Sequence, residues 1–279
     1  MQKVDWEVLW KKIYEERKKV ESKDPGIEYW DKRAEDFSES RRTNDYEYGR
    51  KVLKALYEII NSDSEVLDIG AGPGTFVIPF AKKVKKITAV EPSKEMVGRI
   101  RKNAQEEGVE NFEIISKVWQ EISISDHAPK YNLVISSIVL WMFENIWEEL
   151  ERMEQASKEY CCVVTGAGEW NGEEQKLWHK IMGDVQKPDY SEFPLIYNLL
   201  YSKGRYPNVD IIHYDSVRSI ENKIRHRKLF FEKYIEVTPD IEQMIEDHVL
   251  AKSKGGKYRE EGRAAVIWWN VQETEEEVK

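Results

Sequence analysis

Cysteine is almost missing from this sequence. The 279 residues contain two, Cys161 and Cys162, and they are adjacent. Adjacent cysteines cannot plausibly pair with each other or build a zinc site. Both lie in the apolar run CCVVTGAG, which is typical of a buried strand, so we expect them to be packing residues.

Long apolar runs and an excess of positive charge are missing as well. No window approaches the ~18 uncharged apolar residues that a bilayer-spanning helix needs. The 43 Lys and Arg against 52 Asp and Glu give a net charge of -9, which disfavours a nucleic-acid partner. The first ten residues carry charges where a signal peptide needs an apolar run, so we expect a cytoplasmic protein without membrane contact.

Alternating strands and helices begin at Glu65. Short runs rich in valine and isoleucine alternate with charged helical stretches, which indicates a largely parallel sheet covered on both faces. The predicted strands are residues 66–70, 86–92, 112–116, 131–139, 161–167, 207–217 and 263–270.

Helical periodicity precedes this alternating region. Apolar residues recur at helical spacing over residues 4–20, and further helices are predicted over 27–40 and 45–60. The stripe that contains Trp6 and Trp10 either packs against the rest of the chain or forms a homodimer contact.

A glycine loop follows the first predicted strand, in VLDIGAGPGTF. Gly70, Gly72 and Gly74 allow a tight turn in which a ligand touches the main chain. Glu91 ends the next strand about 20 residues further on, where an acid can hold both ribose hydroxyls of a nucleoside. The loop lacks the GK[ST] of a triphosphate site, and Asp68 would repel a pyrophosphate. These features indicate a ligand with adenosine, an ammonium group and no phosphates.

Three segments, VLDIGAGPGTF, ITAVEPSKEM and YNLVISSIVLWMF, together resemble the class I S-adenosylmethionine-dependent methyltransferases. The similarity covers about residues 45–170. The upstream YWDKRAEDFSE is similar to the helix that many small-molecule members place over the cofactor. The resemblance implies S-adenosylmethionine as cofactor and an α/β fold: a Rossmann-like, seven-stranded, mostly parallel sheet with helices on both faces.

The resemblance also implies a domain organisation. Residues 1–44 form an N-terminal helical cap segment, and residues 45–279 form the methyltransferase domain. Within that domain, a helical insertion at about 185–206 covers the binding face, because this stretch is too long for a plain connection. Helices over about 219–254 precede the last strand.

Cofactor-binding residues follow from the same resemblance. The glycine loop approaches the methionine part of the cofactor, and the acid after the second strand binds the ribose. The region after the third strand, SKVWQEI, supplies the candidates for the adenine, with Trp119 able to stack on the ring. The full set is Asp68, Gly70, Ala71, Gly72, Gly74, Glu91, Val118, Trp119, Ser136, Tyr29 and Trp30.

The end of the fourth strand reads SSIVLWMFEN. It lacks the Asn/Asp-Pro-Pro-Tyr of amino-methylating enzymes for adenine or glutamine and the Pro-Cys of covalent cytosine methylation. Trp141 at this strand end either forms a substrate wall or packs under the next helix. His213, near the end of the sixth predicted strand, is our first candidate for a general base, and its neighbour Tyr214 could share the role.

Together these observations predict methyl transfer to a small molecule by in-line displacement, with O- or N-methylation favoured and no metal. Two alternatives stay open: an RNA or protein methyltransferase, and a catalytically silent protein that binds S-adenosylmethionine.

Overall fold

A single mixed sheet organises the computed structural model, which describes residues 4–22, 26–124, 129–168, 172–186 and 191–272. Its seven strands run in the order β3-β2-β1-β4-β5-β7-β6, and β7 is antiparallel to both neighbours. The strands are β1 (Glu65–Ile69), β2 (Lys86–Val90), β3 (Phe112–Ile115), β4 (Tyr131–Ser137), β5 (Ser157–Gly166), β6 (Asn208–Ser219) and β7 (Lys257–Asn270). The predicted Rossmann-like, mostly parallel seven-stranded fold is confirmed.

Helices cover both faces of this sheet, and each face has its own apolar core. Side-chain caps at Asp5, Ser93, Ser219 and Thr238 begin four of them, as the preference for short polar residues at helix starts predicts. The helices are α1 (Trp6–Val20), α2 (Ile27–Thr43), α3 (Glu47–Ala55), α4 (Val77–Ala81), α5 (Lys94–Glu106), α6 (Ile146–Ala156), α7 (Gly172–Met182), α8 (Glu192–Ser202), α9 (Ile220–Phe231) and α10 (Pro239–Lys252).

Two strands are longer than the sequence pattern predicts. β5 begins at Ser157, which pairs with Tyr131 of β4, whereas the predicted strand begins at Cys161. β7 begins at Lys257 and pairs there with Ser219 of β6. The charged run that opens β7 resembles a solvated loop in sequence, because only the partner strand shows that its backbone is hydrogen-bonded.

Helix α2 crosses the carboxyl edge of the sheet. Near its start, the Asp31 carboxylate accepts a hydrogen bond from the Ser93 hydroxyl at 2.6 Å, just after β2. At its end, Asn44 exchanges hydrogen bonds of 2.8 and 2.9 Å with the backbone of Val217 in β6. The helix is therefore fixed at both ends above the edge where ligands bind in open parallel sheets.

The described helices include none that combines the length and the apolar character needed to span a bilayer.

Candidate functional site

The glycine loop after β1 has the backbone geometry that its glycines predict. Gly70, Gly72 and Gly74 have φ of +73°, +56° and +90°, a region that other residues rarely adopt. A Cβ on Gly70 would lie 2.5 Å from Val139 Cγ2, whereas a Cβ on Gly72 would meet no atom within 4 Å. Gly70 therefore packs against the chain after β4, and Gly72 faces open space that a ligand can occupy.

Glu91 joins the loop to the end of β2. Its Oε2 accepts a hydrogen bond from the Gly72 backbone N–H at 2.8 Å, and its Oε1 accepts one from Ser93 N–H at 2.9 Å. Burial raises the pKa of this carboxyl, while the two N–H donors act in the opposite direction. The carboxylate and the glycine turn thus form one unit. Ala71 is buried within this turn and donates its N–H to the Val90 carbonyl at 3.2 Å.

Asp68 lies beneath the loop and is 2% exposed. Its Oδ2 is buried and has no hydrogen-bond partner. Burial, together with the negative charge of Glu91, raises the pKa of Asp68 to about 8. A buried carboxyl without a partner calls for a cation or a hydrogen-bond donor. The residues therefore fit a ligand that brings an ammonium group to Asp68 and hydroxyls to Glu91, as S-adenosylmethionine does.

Three other predicted cofactor residues lie deeper. Ser136 is fully buried, and its hydroxyl donates to the Ile69 carbonyl at 3.4 Å, so it ties β4 to β1. Trp119 is 4% exposed, and the Arg152 guanidinium of α6 lies 5.2 Å from its ring centroid. Residues of α6 and the adjacent core already pack against this ring, so stacking of Trp119 on the adenine stays a prediction. Half-buried Val118 stays a candidate for the adenine.

A cavity of about 420 Å³ opens at the carboxyl ends of β4 and β5, bounded by α1, α2, α8 and the segment after α9. That volume lies within the usual range for small-molecule sites of roughly 300–1,000 Å³. Its aromatic lining residues are Trp10, Tyr14, Tyr29, Trp30, Trp141, Phe230 and Tyr234. Its charged lining residues are Arg17, Glu21, Arg33, Glu192 and Lys233.

Three residues singled out in the sequence meet in this cavity. The Trp30 and Trp141 ring centroids are 6.3 Å apart, and the Tyr29 ring meets the Trp30 ring edge-on at 5.1 Å. The Trp141 indole N–H donates to the Ile138 carbonyl at 2.9 Å. Ile138 has φ of +55°, a strained conformation for a β-branched residue. The chain after β4 is thereby turned so that Trp141 forms a cavity wall.

His213 and Tyr214 are not among the residues that line the cavity. His213 is exposed on β6, the edge strand, which β7 separates from β5. Tyr214 packs 4.8 Å from the ring of Tyr48, and a Cβ on Gly262 would overlap its ring. The structure therefore places His213 and Tyr214 outside this cavity, and the general-base role of His213, assisted by Tyr214, stays a prediction. His213 lies in the middle of β6 and not near its carboxyl end, and the sheet order separates β6 from β4.

The sequence reasoning missed the charged residues of the cavity. Burial lowers the pKa of Lys233 to about 8 and raises the pKa of Glu192 to about 7. Glu192 is the only charge in SEFPLIYNLL, whereas Lys233 directly follows Glu232 in LFFEKYIEV. A lone charge among apolar residues was therefore the available signal for Glu192, and the sequence around Lys233 offered none.

The fold, the glycine loop and its partner acid define a class I methyltransferase that uses S-adenosylmethionine. The chain belongs to the methyltransferase domain family, whose sequence profile matches residues 40–182.

Similar proteins share either most of this chain or a short part of it. An uncharacterised protein of Haemophilus influenzae is 24% identical over 247 residues, which cover 87% of this chain and 88% of that protein. A probable ribosomal RNA small subunit methyltransferase A of Methanosphaera stadtmanae is 33% identical over 79 residues, 28% of each chain.

Solved structures share the fold. The YcgJ protein of Bacillus subtilis superimposes with a TM-score of 0.53 at 14% identity, covering 80% of this chain and 98% of that one. A putative methyltransferase of Bacillus halodurans has a TM-score of 0.52 at 14% identity, with 79% and 98% covered.

Proposed function

We propose that this enzyme transfers a methyl group from S-adenosylmethionine to a small molecule bound in the 420 Å³ cavity, by O- or N-methylation. The observation that carries the proposal is the cavity itself. It lies at the carboxyl ends of β4 and β5. Ile138 and Trp141 line it from either side of Val139, which packs against Gly70 of the glycine loop. An acceptor there would lie beside the cofactor site.

The chain's own residues would position both reactants. S-adenosylmethionine supplies an electrophilic methyl group on a sulfonium. The glycine loop would lie against the methionine part, Glu91 would hold the ribose, and Asp68 would receive the ammonium group. Trp30 and Trp141 enclose the acceptor and exclude water. In-line displacement depends mainly on such alignment and on a dry site.

Two features support a small acceptor over RNA. The aromatic walls come from α1, α2, the end of β4 and the end of α9, which together enclose a space suited to one small molecule. The net charge of -9 gives phosphate no general attraction. The probable RNA methyltransferase of Methanosphaera matches only 28% of this chain, so its substrate is a weak guide.

Charged groups in the cavity argue against a silent binding protein.

A label-transfer experiment tests the proposal. Protein is incubated with S-adenosylmethionine that carries a tritiated methyl group. Metabolite, RNA and protein fractions of a cell extract are each added to a separate reaction. Gly166 lines the cavity, and a side chain there would meet no atom within 4 Å, so Gly166→Leu grows into the acceptor space. Gly98→Leu, on the exposed face of α5 with equal room, is the matched control.

We expect label in the metabolite fraction, reduced about tenfold or more by Gly166→Leu and unchanged by Gly98→Leu, with S-adenosylmethionine binding equal in all three proteins. Label confined to RNA or to protein would contradict the small-molecule acceptor. Cofactor binding without transfer to any fraction would favour the silent binding protein.

A further inference from the structure

Lys233 is held in place at the entrance to α2. Its backbone carbonyl accepts hydrogen bonds from the Ser22 N–H at 2.7 Å and from the Ser22 hydroxyl at 3.0 Å. Its side chain is 11% exposed and lines the cavity. The ammonium group therefore belongs to the acceptor space and not to the outer surface.

Aromatic rings surround the Lys233 Nζ. It lies 5.1 to 5.9 Å from the ring centroids of Tyr29, Trp141, Phe230 and Tyr234. The Glu21 carboxylate lies 3.7 Å away, which is longer than a hydrogen bond. The rings stabilise the cation through their faces, while burial disfavours it. Burial is the larger influence, so the pKa of Lys233 lies below that of an exposed lysine.

Several charged and titratable groups line the cavity together with Lys233. They are Arg17 of α1, Glu21 just after α1, Tyr29 and Arg33 of α2, Glu192 of α8, and Tyr234. Burial is the largest influence and lowers the pKa of Lys233 to about 8; Glu21 raises this pKa, and Arg17 and Arg33 lower it. A fraction of the side chain is then a neutral amine at neutral pH, and a neutral amine can accept a proton.

We propose that Lys233 is the general base of the transfer and that the acceptor is a hydroxylated aromatic compound whose hydroxyl donates to the Lys233 amine. The inference rests on the proposed function. The aromatic walls of the cavity favour a planar ring. A hydroxyl fits the amine because it has one proton to lose and its oxygen can then accept from the ammonium. A carboxylate has no proton to give to the amine. The nitrogen of an arylamine is a poor hydrogen-bond acceptor for the resulting ammonium.

The step conserves atoms and charge. The hydroxyl O–H bond breaks, its proton joins the Lys233 nitrogen, and its electron pair stays on the oxygen. That oxygen forms the new bond to the methyl carbon, while the carbon–sulfur bond breaks and leaves its electron pair on sulfur. Lys233, now an ammonium stabilised by the surrounding rings, later returns the proton to water.

The test compares three acceptors with one ring body: p-cresol, p-toluidine and p-toluate. Each is assayed from mildly acidic to mildly basic pH with wild type, Lys233→Met and Glu21→Gln. Lys19→Met, an exposed lysine of α1, is the matched control. Calorimetry with S-adenosylmethionine and thermal melting show whether each variant is folded and binds the cofactor.

We expect methyl transfer to p-cresol alone, with kcat rising as the pH passes about 8. Lys233→Met should lower kcat about 100-fold and remove this pH dependence, with cofactor binding intact. Glu21→Gln should move the rise to lower pH, because Glu21 raises the pKa of Lys233. A merely structural role for Lys233 would not change the pH profile. Lys19→Met should match wild type.

A second measurement does not depend on turnover. 4-Nitrophenol absorbs visible light as the phenolate, so its spectrum reports the protonation of the bound hydroxyl. Wild type with S-adenosylhomocysteine should bind it and increase the phenolate fraction, and Lys233→Met should abolish the increase. No increase with wild type would overturn the proposal, as would a kcat for Lys233→Met within twofold of wild type.

The outcomes also separate the two proposals. Transfer to p-toluidine or p-toluate but not to p-cresol overturns the base and the acceptor class and leaves the small-molecule function standing. If no metabolite accepts label from wild type, the proposed function fails and this inference fails with it.

Discussion

The glycine-loop site and the acceptor cavity are neighbours, yet the chain builds them differently. The loop site takes its main residues from one short stretch, Asp68 to Ser93, because β1, the loop and β2 are consecutive and adjacent in the sheet. The cavity draws on residues from Trp10 to Tyr234, on α1, α2, α8, the end of β4 and the segment after α9. Local sequence therefore specifies the first site and long-range packing the second.

The two sites also differ in the groups that they present. The loop uses backbone N–H groups and positive φ angles, which require glycine at defined positions. The cavity uses side chains whose roles depend on burial: Glu192 and Lys233 would be ordinary surface charges in another setting. Substitutions in the loop should therefore act on the cofactor, and those in the cavity on the acceptor.

Asp68 gives the largest expected effect within the loop site. Its folded-state pKa, about 8, lies above the value of 3.8 expected for an unfolded chain. The folded protein thus binds the extra proton, and this stability is lost as pH rises from about 4 to 8. Asp68→Asn should remove that loss, a relative gain of about 4 kcal/mol in the free energy of unfolding between about pH 5 and 8. Urea unfolding without ligand measures it; parallel pH profiles for the two proteins would contradict it.

Glu91 should dominate cofactor affinity. Glu91→Ala removes both backbone hydrogen bonds of the carboxylate, together with the contact to the ribose that the family resemblance implies. We expect S-adenosylmethionine to bind about 100-fold more weakly, or by about 3 kcal/mol, in calorimetric titration. Glu110→Ala, on an exposed turn, is the control. A loss smaller than fivefold would show that the acid does not contact the ligand.

The two glycines of the loop should separate stability from binding. Gly70→Ala places a Cβ 2.5 Å from Val139, so we expect a loss of about 2 kcal/mol in the free energy of unfolding. Gly72→Ala meets no atom and should cost about 1 kcal/mol for its positive φ, yet weaken S-adenosylmethionine binding more than its stability loss suggests. Chemical denaturation measures the free energy of unfolding, and calorimetry measures S-adenosylmethionine binding. The prediction would be contradicted if Gly70→Ala and Gly72→Ala changed stability equally and binding equally.

His213 should have the smallest effect. Its side chain is exposed, and its backbone carbonyl, which accepts from Lys51, is unchanged in His213→Asn. We expect kcat, KM and the melting temperature to stay near wild type, since surface substitutions usually change stability by less than about 0.5 kcal/mol. A tenfold loss of kcat would mean that the edge strand β6 reaches the acceptor, although His213 does not line the cavity.

Sequence patterns predicted the strands and the glycine turn, whose positive φ angles the structure shows. Gly70, Gly72, Gly74 and Glu91 could be found because their spacing reflects local backbone geometry. The surroundings of Trp119 could not be found, because its position after β3 says nothing about Arg152 of α6, which packs over its ring.

By itself the sequence determined most of the individual strands, the glycine turn and the acid after β2, since each depends on residues close together in the chain. The tertiary structure alone decided which charges are buried. Lys233 meets Trp141 and Glu21 only because Ser22 holds the segment after α9 against the junction of α1 and α2. Burial changes a side chain's protonation through the groups packed around it, and those groups come from distant parts of the chain.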